Sequence, residues 1–544
     1  MSEYKPTTSR SPTRTSCPAA SEGRSKNNNK MQRIIILLLI FVVIQQSHAQ
    51  PLRELRGVWI STVKMLDYPS KRNLTSEQLK QEFISIVDTC QALGMNAIFF
   101  QIRPAADAFF QSPYEPWSEW LTGKQGRPPK PYFDPLKFMI DETHKRNMRF
   151  YAWINPFRAI ATIDFADVSP KHITKRKPQW FFDYGKHRYF NPGIPEVRNY
   201  LTKIIIDVVK RYDVDAIVFD DYFYPYPERD NNGKIIPIPD NETFRKYGKG
   251  FSNIKDWRRN NINLFIEQVS KAIKNTKPWV IFGISPPAVW RNKSRDTAGS
   301  ATRGLAAYDW LYADPLTWLK NGWIDFVSPQ LYYYIGHKYA DYKTLLDWWK
   351  KHTYGRNMYI SLNVYNLEVS KDKHWRNPEE LPTEIKMARQ VPQVKGFIFY
   401  RFKPLNDNPL GIKDSLRSHY FSQWAFYPRL PYIDSIPPEP PSYIGKYRIG
   451  KEITVYWEPK DTSLSPMDTI AFYVVYRFKG RKPGKIGSRD NIYLITREPE
   501  FTVSRKHKFQ LFGKTYTFVI TAFDRFHNES KPTKPIRIKF SKNE

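Results

Sequence analysis

Cysteine is nearly absent from this sequence, which has only Cys17 and Cys90 among 544 residues. Two cysteines exclude a disulfide framework and a cysteine-rich metal cluster. Cys17 precedes the predicted cleavage point described below, so the mature chain would keep one cysteine and no internal disulfide. Cys90 falls on the apolar face of a helical pattern, and we expect it to be buried as a small core residue.

The sequence also lacks the short motifs of several enzyme classes. It contains no His/Cys/carboxylate set at zinc spacing, no Gly-rich phosphate loop and no Gly-x-Ser-x-Gly elbow. No zinc-finger, RNA-recognition or basic-zipper signature is present either. We therefore expect no metal, no cofactor and no nucleic-acid partner.

Acidic residues are scarce relative to basic ones. The chain has 53 Asp and Glu against 85 Lys and Arg, a formal net charge of +32. The surplus is spread along the chain without a long basic block. A diffuse basic surface favours polyanions such as anionic lipid surfaces or acidic wall polymers, although general solubility explains such a charge equally well.

The apolar run near the start is too short to be a typical membrane span. Residues 1–30 are rich in Ser, Thr, Arg and Asn, which predicts either disorder or a mis-assigned start upstream of Met31. Residues 31–49 have a basic start, an apolar run and a small-residue exit, the pattern of a secretory signal peptide. A span needs about 20 apolar residues. We predict cleavage after Ala49 and secretion across the inner membrane to the periplasm, cell envelope or exterior; the alternative is an uncleaved anchor.

Eight strand-like runs alternate with helical patterns between residues 53 and 427. The predicted strands are 57–63, 95–102, 148–154, 214–219, 279–284, 323–330, 357–363 and 396–400. The predicted helices are 76–93, 135–147, 195–211, 253–276, 314–321, 341–352, 379–390 and 411–423. This repeat predicts an α/β fold, a (β/α)8 TIM barrel, with long loops at 155–194 and 222–252 that would build a binding cleft.

The sequence changes in character after Tyr427. Six prolines fall within 428–442, which predicts a stiff linker. Short alternating runs follow over 443–544 and predict a small all-β sandwich. The stretch 516–530 resembles the last strands of a fibronectin type III domain, a module that spaces or docks.

The stretch Val214–Pro225 organises the barrel. It begins as an apolar strand and ends in Asp220 and Asp221, followed by Tyr222, Phe223 and Tyr224. Carboxylates are costly to bury unless they are paired, hydrogen-bonded or used, and enzyme sites form at the carboxyl ends of parallel strands. We predict that Asp220 and Asp221 are catalytic; the alternative is a pair that only braces the loop.

Other strand ends carry amide, indole, phenol and guanidinium groups. Such groups bind sugar hydroxyls and stack on sugar faces. The residues predicted to bind substrate are Arg103, Asp107, Trp153, Asn155, Tyr222, Trp290, Asn292, Gln330 and Tyr332.

Glycoside hydrolysis normally uses two carboxyl groups, about 5 Å apart for retention and about 6.5–9.5 Å for inversion. Neighbours in a strand point to opposite faces, so Asp220 and Asp221 would form that pair only if the strand end bulged. Otherwise the second carboxyl would come from Asp107, Glu368 or Asp67. Substrate-assisted attack by an N-acetyl group, which needs one supporting aspartate and an acid, remains open.

Several motifs of the barrel region resemble a known family. They are 56–59 (RGVW), 115–118 (EPWS), 153–156 (WINP), 191–197 (NPGIPEV), 219–225 (FDDYFYP), 256–260 (DWRRN), 283–286 (GISP), 290–292 (WRN) and 328–332 (SPQLY). Over about 53–425 the chain resembles the glycosyl-hydrolase-like family 10, secreted bacterial proteins of the cell envelope. One departure is Pro287-Ala288, where the family usually has a Phe-Gly type of pair.

The resemblance implies a (β/α)8 barrel that acts on a glycan, with peptidoglycan strands as a candidate substrate. It carries over Asp220 and Asp221 as catalytic and the other motif residues as sugar contacts. We therefore predict a glycoside hydrolase. The alternative is a non-catalytic glycan-binding or scaffolding protein of the envelope.

Overall fold

The computed structural model describes residues 50–163, 168–450, 452–460, 467–504 and 515–539. The predicted signal peptide and the stretch before it lie outside these residues. The chain divides into Met1–Pro51, of which only Gln50 and Pro51 are described, and Leu52–Glu544. Within the described ranges, no helix combines the length and apolar character needed to cross a bilayer.

Eight parallel strands close into a barrel, which confirms the predicted fold. Their order around the barrel is first, eighth, seventh, sixth, fifth, fourth, third, second. The strands are Leu55–Ile60, Ala97–Arg103, Arg149–Ile154, Ala216–Phe219, Ile281–Ile284, Phe326–Val327, Asn357–Asn363 and Val394–Tyr400. Seven of them are buried throughout and the eighth over most of its length, as expected for runs of β-branched and aromatic residues covered on both faces.

The longer helices follow barrel strands and bury their apolar faces in the core that surrounds the barrel. The α-helices are Ser76–Ala92, Glu119–Thr122, Pro135–Lys145, Ile173–Arg176, Pro195–Arg211, Asn241–Tyr247, Ile254–Thr276, Pro315–Lys320, Tyr342–Trp349, Tyr365–Val369, Glu380–Arg389, Phe402–Asp407 and Ile412–Ser415. Short 3-10 turns are Val63–Met65, Pro178–Trp180, Lys373–Arg376, Pro409–Gly411 and Arg489–Asn491; π-turns are Ala307–Leu311 and Leu416–Tyr420.

The first long helix shows how local sequence fixes a boundary. The Thr75 hydroxyl accepts from the backbone N–H of Gln78, and the Gln78 side chain accepts from the backbone N–H of Thr75. This reciprocal capping satisfies two backbone donors at the helix start. Cys90 lies on the buried face of this helix, as predicted.

The loop after the third strand carries its own small sheet. Strands Arg158–Ile160, Phe181–Tyr184 and His187–Phe190 pair antiparallel, with His187–Phe190 in the middle. Arg158 begins this sheet four residues after the third barrel strand ends, and it bonds the Pro104 carbonyl just after the second strand, so it lies at the carboxyl end of the barrel strands.

The C-terminal region contains two antiparallel sheets. One has Ser442–Ile449, Glu452–Glu458 and Glu500–Ser504, and the other has Ile470–Lys479, Ile492–Thr496, Thr515–Asp524 and Ile536–Lys539. A shared core that includes Trp457, Tyr473, Phe501 and Phe518 joins them. The resemblance to fibronectin type III stays a prediction.

The β-domain is docked on the end of the barrel where the strands begin. Arg53 donates to the carbonyls of Tyr427, at 3.0 Å, and His527, at 3.1 Å. Phe426 stacks on Phe523 with ring centroids 5.0 Å apart. Leu430, inside the proline-rich segment, is 2% exposed and belongs to the core of the barrel base. The segment therefore packs along the barrel.

The barrel closes where Leu55 pairs with Gly396, and this contact yields a stability prediction. A methyl group on Gly396 would lie 2.1 Å from the Leu55 carbonyl oxygen, at a φ of +152°. Gly396→Ala should therefore lower the free energy of unfolding by about 2–3 kcal/mol or more. Denaturant unfolding of Gly355→Ala is the control, since Gly355 also has a positive φ but meets nothing within 4 Å. Equal losses in the two variants would contradict the prediction.

Candidate active site

Two adjacent aspartates lie at the carboxyl end of the fourth barrel strand. That strand ends at Phe219, Asp220 follows it, and the chain bends at Asp221. Side chains alternate between opposite faces only within a strand. Asp220 and Asp221 come after the strand has ended, so this alternation does not force their carboxyl groups apart. Both are buried, at 5% and 7% exposure, and both interact electrostatically with Arg158.

Asp220 is held by donors from the third strand and from its own loop. The Trp153 indole N–H donates to Asp220 Oδ2 at 3.1 Å, and the Asn155 amide donates to the same oxygen. The backbone N–H of Tyr222 donates to Oδ1 at 3.3 Å. Burial, followed by the charge of Asp221, raises the pKa of Asp220 to about 7, against the opposing effect of Arg158. Asp220 can therefore hold a proton near neutral pH.

Asp221 has a different set of donors. The Tyr226 hydroxyl donates to Asp221 Oδ2, and the Gln330 side chain also hydrogen-bonds this carboxylate. Burial raises the pKa of Asp221 above its usual value. Because the two carboxyl groups titrate together, the pair keeps one proton over a range in which isolated aspartates would both be charged.

A cation and a tyrosine ring form one side of the site. The Arg158 guanidinium carbon lies 5.0 Å from the centroid of the Tyr222 ring. Its Nε donates to the Pro104 carbonyl at 2.9 Å, which fixes the side chain beside the carboxyl pair. The charge of Arg158 favours the ionised form of either aspartate.

Aromatic side chains from other strands form a wall near the pair. Tyr332 stacks on Tyr400 with ring centroids 5.7 Å apart and an interplanar angle of 28°. The Tyr332 hydroxyl lies 3.0 Å from Ser361 Oγ, which also accepts from the Trp59 indole at 3.1 Å. The charges of Asp220 and Asp221 reach Tyr332 and Tyr400 and contribute to raising the pKa of each phenol, after burial.

The structure thus brings together six of the predicted residues: Trp153, Asn155, Asp220, Asp221, Tyr222 and Gln330, with Tyr332 beside them. Three residues of the site, Arg158, Tyr226 and Tyr400, were not among those predicted from the sequence. The sequence could have indicated Arg158, which follows Asn-Pro-Phe, and Tyr226, which is the second Tyr of Tyr-Pro-Tyr-Pro. Both lie in the segments that follow strand ends.

Arg103 lies behind the site. It is 1% exposed and makes a bidentate pair with Glu115, at 2.7 and 2.6 Å. It also donates to the carbonyls of Asn155, at 2.5 Å, and Pro156, at 3.1 Å. These bonds use four of the five N–H donors of a guanidinium. Arg103 is therefore placed to fix Asn155, and its predicted role as a substrate contact stays a prediction.

Asp107 lines a separate cavity of about 270 Å³ together with Lys64, Arg72 and Gln125. Gln125 donates to Asp107 Oδ2 at 3.3 Å, and the backbone N–H of Ala105 lies 3.3 Å from Oδ1. Burial raises the pKa of Asp107 to about 7. Its predicted role as a substrate contact stays a prediction.

Trp290 and Asn292 brace the loop after the fifth strand. The Trp290 indole N–H donates to Asp314 Oδ1 at 3.0 Å, and its ring stacks on Trp348. Asn292 donates to the Gly304 carbonyl at 2.8 Å and accepts from the Thr302 hydroxyl at 2.9 Å. Their polar atoms are thus engaged within the protein, and the structure does not bring them to the aspartate pair through any described contact.

Two of the candidates for a second carboxyl have other positions. Asp67 is fully engaged: it accepts from Arg401 at 3.0 Å and from the backbone N–H groups of Ser61, at 2.8 Å, and Lys403, at 2.7 Å. It joins the loops after the first and eighth strands. Glu368 is exposed on the short helix Tyr365–Val369. The carboxyl group that the structure places beside Asp220 is Asp221.

Among the residues that the structure describes, no group of three or more His, Cys, Asp or Glu side chains could hold a metal ion. The described site around Asp220 and Asp221 presents carboxyl groups, phenols, amides, an indole and one guanidinium.

Comparison with known proteins identifies the family. The family described as glycosyl hydrolase-like 10 matches residues 54–377, which is more than half of the chain and includes Asp220, Asp221 and the residues that hydrogen-bond them. The chain belongs to this family. The resemblance seen in the sequence motifs is confirmed, and the protein is a glycoside hydrolase.

Two named relatives support the assignment. The glycosyl hydrolase YngK of Bacillus subtilis (strain 168) is 41% identical over 504 residues, covering 90% of this chain and 94% of that protein. The glycosyl hydrolase DigH of Escherichia coli (strain K12) is 38% identical over 385 residues, covering 66% of this chain and 85% of that protein. Among solved structures, the glycoside hydrolase domain of PgaB (BpsB) from Bordetella bronchiseptica matches 68% of this chain and 99% of its own, with 12% identity and a TM-score of 0.44.

The raised pKa of Asp220 predicts a stability effect that needs no substrate. The pKa of Asp220 in the folded state, about 7, lies above the ordinary pKa of an aspartate, so the folded state binds more protons between these two values and loses stability as pH rises through them. Asp220→Asn should therefore raise the Tm by more at about pH 8.5, where the substitution removes a buried charge, than at about pH 5, where Asp220 is still protonated in the folded state. Calorimetry of Glu368→Gln, an exposed acid-to-amide change, is the control. A Tm gain of the same size at both pH values would contradict the prediction.

Proposed function

We propose that this protein is a secreted glycoside hydrolase that cleaves an envelope polysaccharide, with peptidoglycan glycan strands as the substrate. The observation that carries the proposal is the buried Asp220–Asp221 pair at the carboxyl end of the fourth strand, with Asp220 able to keep a proton near pH 7. A carboxylic acid that is neutral at working pH can protonate the leaving oxygen of a glycosidic bond.

In this proposal Asp220 is the general acid and Asp221 is the charged partner. Trp153 and Asn155 orient Asp220 by donating to one of its oxygens. Asp221, oriented by Tyr226 and Gln330, stabilises the positive charge that develops on the sugar, either directly or on an N-acetyl group that attacks from the substrate itself. Adjacent carboxyl groups suit the second route, because both can contact the same sugar from one side.

An unused polar atom supports a sugar ligand. Asn155 Oδ1 is buried and has no hydrogen-bond partner among the residues that the structure describes. A buried acceptor without a partner costs about 1–3 kcal/mol. A sugar hydroxyl or the N–H of an N-acetyl group would satisfy it beside Asp220. The phenols of Tyr222 and Tyr332 offer further contacts to a polyhydroxylated ring.

The choice of an acidic envelope polymer rests on charge and on the start of the chain. The formal net charge of +32 favours a polyanion, and glycan strands stripped of their peptides carry one free muramic acid carboxylate for each disaccharide. The secretory pattern of residues 31–49 predicts delivery to the compartment where such polymers lie.

Cleavage of glycan strands is the direct test. Residues 50–544 should release fragments from peptidoglycan strands stripped of peptides, detected by mass spectrometry. Asp220→Asn and Asp221→Asn should each lower kcat by about 10²–10⁴-fold, because an amide can neither donate the proton nor carry the charge. Glu368→Gln should keep full turnover.

The two roles can be separated with an activated aryl glycoside, whose leaving group needs little protonation. Asp220→Asn should recover much of its rate on this substrate, whereas Asp221→Asn should stay slow. Wild-type binding to the strands without any cleavage would overturn the proposal and favour the non-catalytic glycan-binding protein.

The pH profile gives an independent test of Asp220 as the acid. An acid with a pKa of about 7 is active below that pH, so kcat/KM should fall as pH rises through about 7. The Trp153 hydrogen bond lowers this pKa, and Trp153→Phe should therefore move the alkaline limb to higher pH. Trp59→Phe is the matched control, since its indole bonds Ser361 and not the carboxyl pair. A limb that stays in place in Trp153→Phe would contradict the assignment.

A further inference from the structure

A second cleft lies at the opposite end of the barrel from the aspartate pair. Its volume is about 500 Å³, and it is bounded by the starts of the barrel strands and by the docked β-domain. Asp215, which lines it, directly precedes the fourth strand, whereas Asp220 follows that strand. The two sites therefore occupy opposite ends of the same strand.

Positive charge dominates the cleft. The arginines that line it are Arg146, Arg149, Arg417, Arg497 and Arg525, against the acids Asp213 and Asp215. Arg525 pairs with Asp213 at 3.0 Å, and Asp215 lies 2.8 Å from the His144 ring. The acids inside the cleft are thus already matched, and the positive charge is in surplus.

Two of these arginines are exposed and uncommitted. Within the part of the chain that the structure describes, the side chains of Arg417 and Arg497 make no hydrogen bond and no ion pair. Arg417 comes from the barrel side and Arg497 from the β-domain, so a ligand in the cleft could contact both. A guanidinium binds a carboxylate through two parallel N–H donors, which gives such a contact direction as well as strength.

A buried histidine in the cleft has a ring nitrogen without a hydrogen-bond partner among the described residues, which also indicates a ligand. His527 lines the cleft, is 4% exposed, and its Nδ1 has no hydrogen-bond partner among the described residues. Burial and nearby arginines hold the pKa of His527 well below its usual value, so the ring is neutral. A neutral ring nitrogen without a partner is costly to bury and suits a hydroxyl group.

The rim adds a surface for stacking. Trp424 lines the cleft and leaves 59% of its side chain exposed, on the segment that connects the barrel to the β-domain. An indole face packs well against the apolar face of a sugar ring. Guanidinium groups, a polar ring nitrogen and an exposed indole together fit a sugar that carries a carboxylate.

We propose that this cleft is a second, non-catalytic binding site for an acidic sugar segment, held by Arg417, Arg497, His527 and Trp424. The identity of the ligand as part of the polymer that the barrel cleaves rests on the proposed function. The site would keep a long polymer attached while the other end of the barrel acts on the chain. A short substrate that reaches only the active site would gain nothing from it.

Calorimetry tests the site without relying on cleavage. The chain 50–544 carrying Asp220→Asn is titrated with a tetrasaccharide of alternating N-acetylglucosamine and N-acetylmuramic acid, and with chitotetraose, which has a similar backbone and no carboxylate. We expect a binding event for the acidic tetrasaccharide that chitotetraose lacks. Adding Arg417→Ala and Arg497→Ala should weaken that event by about tenfold or more, because each lost charge-assisted contact is strong.

The control removes the same charge elsewhere. Arg481→Ala with Lys482→Ala changes two exposed cations in a turn of the β-domain and should leave the binding event intact. Equal binding of the two tetrasaccharides, or equal weakening by both double variants, would overturn the proposal.

Turnover separates this inference from the proposed function. In the otherwise wild-type chain, Arg417→Ala with Arg497→Ala should slow release from long strands several-fold and leave kcat/KM on the tetrasaccharide unchanged. Carboxylate-dependent binding in a protein that cleaves no glycan would support the second site and defeat the proposed function. Cleavage of long strands at the same rate in both double variants, with no carboxylate-dependent binding, would support the proposed function and overturn the second site.

Discussion

The electrostatics of the carboxyl face of this barrel depend on two neighbouring carboxyl groups that are buried at the end of a parallel strand. Burial disfavours their charge, and each carboxylate disfavours the other. The donors around them, from Trp153, Asn155 and Tyr226, stabilise the charged forms in part, and Arg158 supplies the nearby positive charge. The balance leaves Asp220 with a pKa of about 7, which lowers stability at high pH and lets this carboxyl group hold a proton near neutral pH.

That balance depends on residues that never touch the carboxyl groups. Arg103 is held by Glu115 and donates to the carbonyls of Asn155 and Pro156, so it fixes the loop that presents the Asn155 amide. A guanidinium that is 1% exposed serves this purpose because its planar donors keep a rigid geometry. Loss of such a support would move a donor relative to Asp220 and change its pKa without removing any group from the site.

The sequence was a good guide to the elements and a partial guide to the site. The seventh strand, predicted at 357–363, is Asn357–Asn363, and the third helix, predicted at 195–211, is Pro195–Arg211. Strand ends also located Trp153, Asn155 and the aspartates correctly as neighbours. Beyond a strand end, however, periodicity no longer specifies where a side chain points. Trp290 follows a strand and looks like a sugar contact, yet its indole bonds Asp314.

The two ends of the barrel differ in the ionisable groups that they bring together. At the carboxyl end, two acidic groups lie close together and accept hydrogen bonds from their neighbours. Their mutual repulsion helps to raise the pKa of Asp220, so that this group can hold a proton near neutral pH. At the amino end, arginines from two domains meet, and the acids Asp213 and Asp215 are already paired. Docking of the β-domain enlarges this surplus of positive charge, because Arg497 belongs to that domain and Arg417 to the barrel. A basic protein can therefore keep a pair of buried acids at one end of a strand and a surplus of arginines at the other. In the two proposals made above, the chemistry and the attraction of an acidic polymer lie at these different ends.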